Sequence, residues 1–249
     1  YSELRTQWGF RVADYSVDAN AADPRVCFQF SEPLDHQVRD FAPYVVAGGA
    51  TDTAVTNGER EICVSGLDHG RSYDFILRAG LPSNIDEPLE TAADYTIYIK
   101  DRNPSVRFTG RNYVLPRTGQ TGIPVVSVNT PQIAIEIFRI GERGLAEAIR
   151  GEHFLEQMQG YALERLKEES ATPVWAGTMD VETALNEDVT TSVPVLDAVG
   201  ELQPGVYVMA AQPEGDESEP WSERATQWFI VSDLGLTALS AGDGVHVLA

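Results

Sequence analysis

Between Pro104 and Ile140 the chain reads PSVRFTGRNYVLPRTGQTGIPVVSVNTPQIAIEIFRI, and few folds accept such a stretch. Val106 and Phe108 open an alternating run, Tyr113 to Leu115 form a short apolar run stopped by Pro116, and Ile123 to Val128 make a third. Ile133, Ile135 and Ile137 then recur at period two, which puts all three side chains on one face of a strand. Gly110, Pro116, Gly119, Gly122 and Pro131 punctuate these runs. Short strands separated by such turn residues predict a β-sandwich. No catalytic motif lies within the stretch.

Residues 1–102 read as an all-β domain of their own. Trp8, Phe10 and Val12 alternate, and Asn20 to Pro24 form a turn. The strand VCFQFS follows and is stopped by Pro33. Phe41 to Val46 reads as a strand closed by Gly48 and Gly49, and Asn57-Gly58 reads as the turn of a hairpin ending in Arg60 to Ser65. Gly66 and Gly70 allow a tight connection into the row Tyr73, Phe75, Leu77, and Tyr95, Ile97 and Ile99 give the last strand. About seven short strands without a helix predict an immunoglobulin-like sandwich. The charged run Lys100 to Pro104 is the expected linker.

After Ile140 the period changes. Leu145, Ala148 and Ile149 fit helical spacing, and beyond Gly151 the residues Phe154, Leu155, Met158, Tyr161, Ala162 and Leu166 make one apolar stripe. The expectation is a helical insertion at about 144–170 whose amphipathic helix of about four turns packs on its own sandwich and is ended by Ser170 to Pro173, with a partner-binding helix as the alternative. Strands resume at Val174 to Met179, Asp188 to Leu196, Val206 to Ala210 and Thr226 to Asp233. Residues 103–233 therefore form the second domain. Residues 234–249 are expected to begin a further domain or to end the chain as a strand pair joined by Gly242-Asp243-Gly244. Because the last apolar row, Val245, Val247, Ala249, would be an open edge, the chain is expected to be a piece of a longer protein.

The chain has two cysteines, both in strand-like contexts. If Val26, Phe28, Ile62 and Val64 point inward, Cys27 and Cys63 point to the outer face. A disulfide between neighbouring strands on that face is the expected arrangement, and two separate thiols are the alternative. The net charge of −20 argues against nucleic acid and against direct membrane contact, since both need Lys and Arg to neutralise phosphates. No apolar run reaches the roughly 18 residues that a spanning helix needs. The opening YSELRTQWGF lacks a signal pattern, and Tyr1 is not an initiator methionine, so a removed targeting segment is expected.

Catalytic, cofactor and metal sites are not expected. His36, His69, His153 and His246 show no zinc-ligand spacing, with His153 read as a surface residue of the helix. Neither a G-x-S-x-G elbow nor a phosphate-binding glycine motif occurs. The acidic run Glu214 to Glu223 lacks a calcium-loop pattern and reads as a solvated hairpin loop.

Two resemblances add to this reading. VCFQFSEPLD followed by GLDHGRSYDFILRAGL resembles the strand pair of bacterial Ig-like modules. The stretch from Pro104 to Ile140, then WAGTMDV, LQPGVYVMAA, ATQWFIVSDLGLT and GDGVHVLA, resemble in order a macroglobulin domain of bacterial α2-macroglobulins. Together they imply an all-β chain of tandem immunoglobulin-like and macroglobulin (fibronectin-III-like) sandwiches, the second carrying the helix, near the N-terminus of such a protein. The resemblance further implies a periplasmic parent, at times lipid-anchored to the inner membrane, whose partners are proteases and its own neighbouring macroglobulin domains. In that family a bait is cut and an internal Cys–Gln thioester of the form C-x-E-Q can acylate the attacker. Cys27 is followed by Phe-Gln-Phe and Cys63 by Val-Ser-Gly, so the chain is expected to supply framework rather than thioester or bait. The alternatives are an Ig-like spacer or adhesive array, and a carbohydrate- or peptide-binding sandwich using loops such as Glu214 to Glu223.

Overall fold

Alternation becomes pairing in the computed structural model, which describes residues 9–110, 113–115, 122–151, 154–216, 223–232, 237–242 and 244–248. The chain divides into two units, 1–103 and 104–249. Among its described residues the first holds seven strands: β1 (Val12–Asp18), β2 (Arg25–Phe30), β3 (Val45–Gly48), β4 (Ala54–Asn57), β5 (Glu61–Ser65), β6 (Arg71–Leu77) and β7 (Ala93–Ile99). They form two sheets, β1-β2-β5-β4 and β3-β6-β7, with every pairing antiparallel. Val26, Phe28 and Phe30 of β2 and Ile62 and Val64 of β5 are buried with Tyr73, Phe75, Leu77, Ile97 and Ile99 of the other sheet. Phe28 meets Phe75 edge-on, ring centroids 5.4 Å apart. Each such side chain contributes about 1.5–3 kcal/mol by leaving water.

Local chemistry shifts some boundaries. The segment expected as a strand from Phe41 begins as a 3-10 turn, Ala42–Tyr44, because Pro43 favours a turn opening and cannot donate to a ladder. The hairpin at Asn57-Gly58 exists, but through a longer loop. The Gly58 N–H donates to the Glu61 carbonyl at 2.9 Å, and Gly58 is not among the glycines with positive φ. Gly66 and Gly70 do take positive φ, 79° and 71°. At Gly66 a Cβ would lie 2.2 Å from the Asp52 carbonyl oxygen, so both conformation and space require glycine.

The second unit contains β8 (Ser105–Phe108), β9 (Tyr113–Leu115), β10 (Ile123–Val128), β11 (Gln132–Ile140), α1 (Glu142–Arg150), β12 (Met158–Gln159) and α2 (Gly160–Glu169). It continues with β13 (Ala171–Asp180), β14 (Val189–Val193), α3 (Val195–Val199), β15 (Gly205–Pro213) and β16 (Glu223–Val231). A hairpin of β17 (Thr237–Ala241) and β18 (Gly244–Leu248) follows. One sheet runs β14-β10-β8; the larger runs β12-β16-β15-β11-β13, with β9 parallel to β16. Between the sheets lie Ile123, Val125, Ile133, Ile135, Ile137, Tyr207, Met209 and Phe229. The opposite face of the larger sheet presents Phe138, Ile140, Val208 and Trp228 to α1 and α2. The unit is therefore three layers, sheet on sheet on helices.

The insertion is helical as expected, but the helix expected to run on from Gly151 starts only at Gly160. α1 stops at Gly151, Leu155 adopts a φ of 71°, and Met158–Gln159 is extended and paired with Arg224 and Glu223 of β16. The helix restarts at Gly160. Two glycines weaken the helix at these points, while the Met158 N–H gains the Thr226 hydroxyl at 3.1 Å. Ile149 and Tyr161, expected in the apolar stripe, are 55% and 59% exposed, and Leu163 is buried instead. His153 lies outside the described residues.

Gly66→Ala is expected to lower the stability of the first unit by at least about 2 kcal/mol, combining strain with a backbone clash. Gly80→Ala, at a φ of 89° with nothing within 4 Å, is expected to cost only about 1–2 kcal/mol. Urea midpoints of the two variants compare them directly.

Candidate functional site: a disulfide ladder and a cleft beside the helices

The first feature is set by strand register. β2 and β5 pair Cys27 with Cys63 and, two residues along, Gln29 with Glu61, so all four side chains share the face opposite Phe28 and Ile62. Cys27 and Cys63 are bonded, with Cα atoms 4.0 Å apart, the closer kind of opposed pair in an antiparallel ladder. The expected bridge between neighbouring strands is present. One detail differs: Cys27 is 8% exposed, because β1 continues the sheet and sets Ser16 opposite it. Gln29 Nε2 donates to Glu61 Oε2 at 2.6 Å. A ligand atom from each of Cys27, Cys63 and Glu61 lies within 4.8 Å of the others, yet the bridge occupies both sulfurs.

The second feature is a cleft of about 580 Å³ in the second unit. Its floor is the helix-facing side of the larger sheet where the side chains shrink to Ala134, Ala176 and Ala210. Leu163, Glu164 and Lys167 of α2 form a wall. Lys167, with its side chain 19% exposed, donates to Glu136 at 2.6 Å and to Glu164 at 2.8 Å, and its ammonium sits 5.1 Å from the centre of the Phe138 ring. Burial pulls the Lys167 pKa down, but hydrogen bonds and charge attraction from Glu136 and Glu164 outweigh it and hold the pKa above its usual value. This clamp ties α2 to β11. Its signal in the sequence is Glu136, a lone charge inside an isoleucine row.

A smaller cleft of about 440 Å³ opens between α1 and α2 above Trp228. Trp228 packs edge-on against Phe154, ring centroids 5.3 Å apart, and its indole N–H donates to the Glu156 carbonyl at 3.3 Å.

None of these arrangements supplies an activated base or nucleophile. Burial raises the phenol pKa of Tyr207, partly offset by Arg139 and by the Gln203 carbonyl that its hydroxyl reaches at 2.6 Å. Burial, then Tyr15 and Asp14, raises that of Tyr95. Both phenols stay protonated at neutral pH. His36 is exposed, and His69 sits 3.0 Å from the Ala19 carbonyl oxygen. The His246 side chain and positions 217–222 of the acidic loop lie outside the described residues.

The family profile described as "Bacterial alpha-2 macroglobulin MG2 domain" matches residues 107–227. An alpha-2-macroglobulin of Xylella fastidiosa is 30% identical over 189 residues, covering 73% of this chain and 11% of that protein. An alpha-2-macroglobulin of Escherichia coli is 26% identical over 219 residues, covering 84% of this chain and 13% of that protein. The chain thus spans only about a tenth of the length of the curated relatives it matches. Crystal structures of a mutant Salmonella alpha-2-macroglobulin and of the methylamine-reacted protein share the fold, with TM-scores of 0.56 and 0.54. Their identities are 23% and 22%, over 94% of this chain and 14% of each of those chains.

Alkylation without reductant is expected to leave the intact mass unchanged, and two labels would refute the bridge. Cys27→Ser with Cys63→Ser, opening a separation of 36 residues, is expected to cost the first unit about 3–4 kcal/mol in denaturant unfolding. Lys167→Met is expected to cost the second unit about 1–2 kcal/mol. Because the folded-state pKa of Lys167 is raised above 10.5, that difference should be full below pH 10.5 and fade as pH rises through the raised value. Urea titrations at pH 8 and above pH 11 test the sign.

Proposed function

The chain belongs to the bacterial alpha-2-macroglobulin family, and from that premise we propose that its two sandwiches are non-catalytic framework of a periplasmic protease trap. The observation that carries the proposal is the profile match over residues 107–227, which falls on the three-layer unit and spans its sheets and helices. The site chemistry supports a framework role. Both cysteines of the chain are joined to each other, so neither is free to form a thioester. The tyrosines and the lysine with displaced pKa values all move away from neutrality, the reverse of what acid–base catalysis uses.

In this reading the parent protein takes proteases as partners, and these two units contact neighbouring macroglobulin domains of the same chain. A disulfide suits an oxidising compartment, in keeping with a periplasmic parent that is lipid-anchored in some members of the family. The purified parent, mixed with a protease, is expected to suppress cleavage of a large protein substrate and to spare a small peptide substrate. The isolated 249-residue chain is expected to suppress neither. Inhibition by the isolated chain would overturn the framework role, and a parent that suppresses nothing would overturn the trap. Cell fractionation of the parent should recover it with periplasmic markers.

A further inference from the structure

The outer face of the β1-β2-β5-β4 sheet carries a square of four side chains: Cys27 opposite Cys63, and Gln29 opposite Glu61. We propose that reduction of the Cys27–Cys63 bridge turns this square into a binding site for a soft divalent cation, with the two thiolates and the Glu61 carboxylate as ligands.

The ladder already holds the donors close. One ligand atom from each of Cys27, Glu61 and Cys63 falls within 4.8 Å of the others. A tetrahedral zinc ion takes sulfur at about 2.3 Å and carboxylate oxygen at about 2.0–2.2 Å, which sets its ligands roughly 3.5–3.8 Å apart. The carboxylate therefore needs only a small shift, and the sulfurs must separate once their bond is cut. The Cα positions of both cysteines are set by the backbone pairing of β2 with β5 as well as by the sulfur bond. Gln29 supplies the supporting contact: its amide donates to Glu61 Oε2 at 2.6 Å and so holds the carboxylate in place beside the two sulfurs. Cys27 is buried, whereas Cys63 and Glu61 are half-exposed, so water completes the fourth position from the solvent side.

The donor set selects the ion. Two thiolates and one carboxylate suit Zn²⁺ or Cd²⁺ and disfavour Mg²⁺ and Ca²⁺, which require more oxygen ligands. A dithiol reductant gives two electrons and two protons to the bridge and becomes a disulfide, leaving Cys27 and Cys63 as thiols. The cation then displaces both thiol protons, so affinity falls as pH is lowered. The site does not depend on the protease-trap reading.

The test uses the 249-residue chain, reduced with a dithiol and freed of it under anaerobic conditions. Titration with Cd²⁺ should produce a sulfur-to-metal charge-transfer band that saturates at one ion per chain, and the oxidised chain should produce none. Competition with a chromophoric chelator should show Glu61→Ala weakened by at least about ten-fold, since even a supporting group is worth that much. Glu59→Ala, on the neighbouring hairpin loop, should match the parent chain. Circular dichroism of the reduced, metal-free chain should retain the β-sheet signal. The proposal is overturned by absence of the band, by equal affinity of Glu61→Ala, by equal binding to the oxidised chain, or by loss of the sheet signal on reduction.

Discussion

The architecture of the second unit depends on the burial of β15 from both sides. Tyr207 and Met209 face the smaller sheet, Val208 and Ala210 face the helices, and all four are buried. A strand apolar on one face needs one partner layer; a strand apolar on both needs two. Phe138, Ile140 and Trp228 extend the second apolar face across β11 and β16. The helices between β11 and β13 are thus the cover that this face demands. Where the floor shrinks to Ala134, Ala176 and Ala210, less cover is required, and there the 580 Å³ cleft lies.

That same two-sidedness explains what the sequence disclosed and what it hid. The rows Tyr73-Phe75-Leu77 and Ile133-Ile135-Ile137 were legible because each serves one core, and a period of two is decisive in such a case. In β15, Tyr207 and Met209 alternate with Val206, Val208 and Ala210, so the sequence itself carries two apolar faces on one strand. The break between α1 and α2 was hidden because Phe154, Leu155 and Met158 do pack with the helical residues in one cluster. Helical spacing was satisfied by residues that reach the cluster from a loop and a strand. Gly151 and Gly160 weaken the helix locally, but the partner that holds the break open is non-local, since Met158 pairs with Arg224 across a long stretch of chain. Tertiary pairing overrode periodicity there.

The candidate site divides in the same manner. Alternation alone put Cys27 and Cys63 on one face, and register then brought them opposite one another. The burial of Cys27 depended on β1 as a neighbour, and the beginning of β1 was obscured by the Trp8-Phe10-Val12 row. The Lys167 clamp needed α2 to be placed over β11 before its two carboxylates could be seen to converge. Contacts between elements distant in sequence carry no local signature, and these are where reading from the chain alone stopped.

The cross-strand bridge also has a mechanical meaning. If the first unit is pulled from its two ends, force passes from β2 to β5 through the sulfur–sulfur bond, and the loop between Cys27 and Cys63 is bypassed. A loop closed over a separation of 36 residues withholds on the order of 120 Å of contour length, at about 3.3–3.6 Å per residue. The strands β3 and β4 and the turn that leads into β5 all lie inside that loop. The sandwich can lose its edges under load and still lengthen far less than its residue count would allow, which makes it a stiff, short-reach element in any assembly that transmits movement from one end to the other.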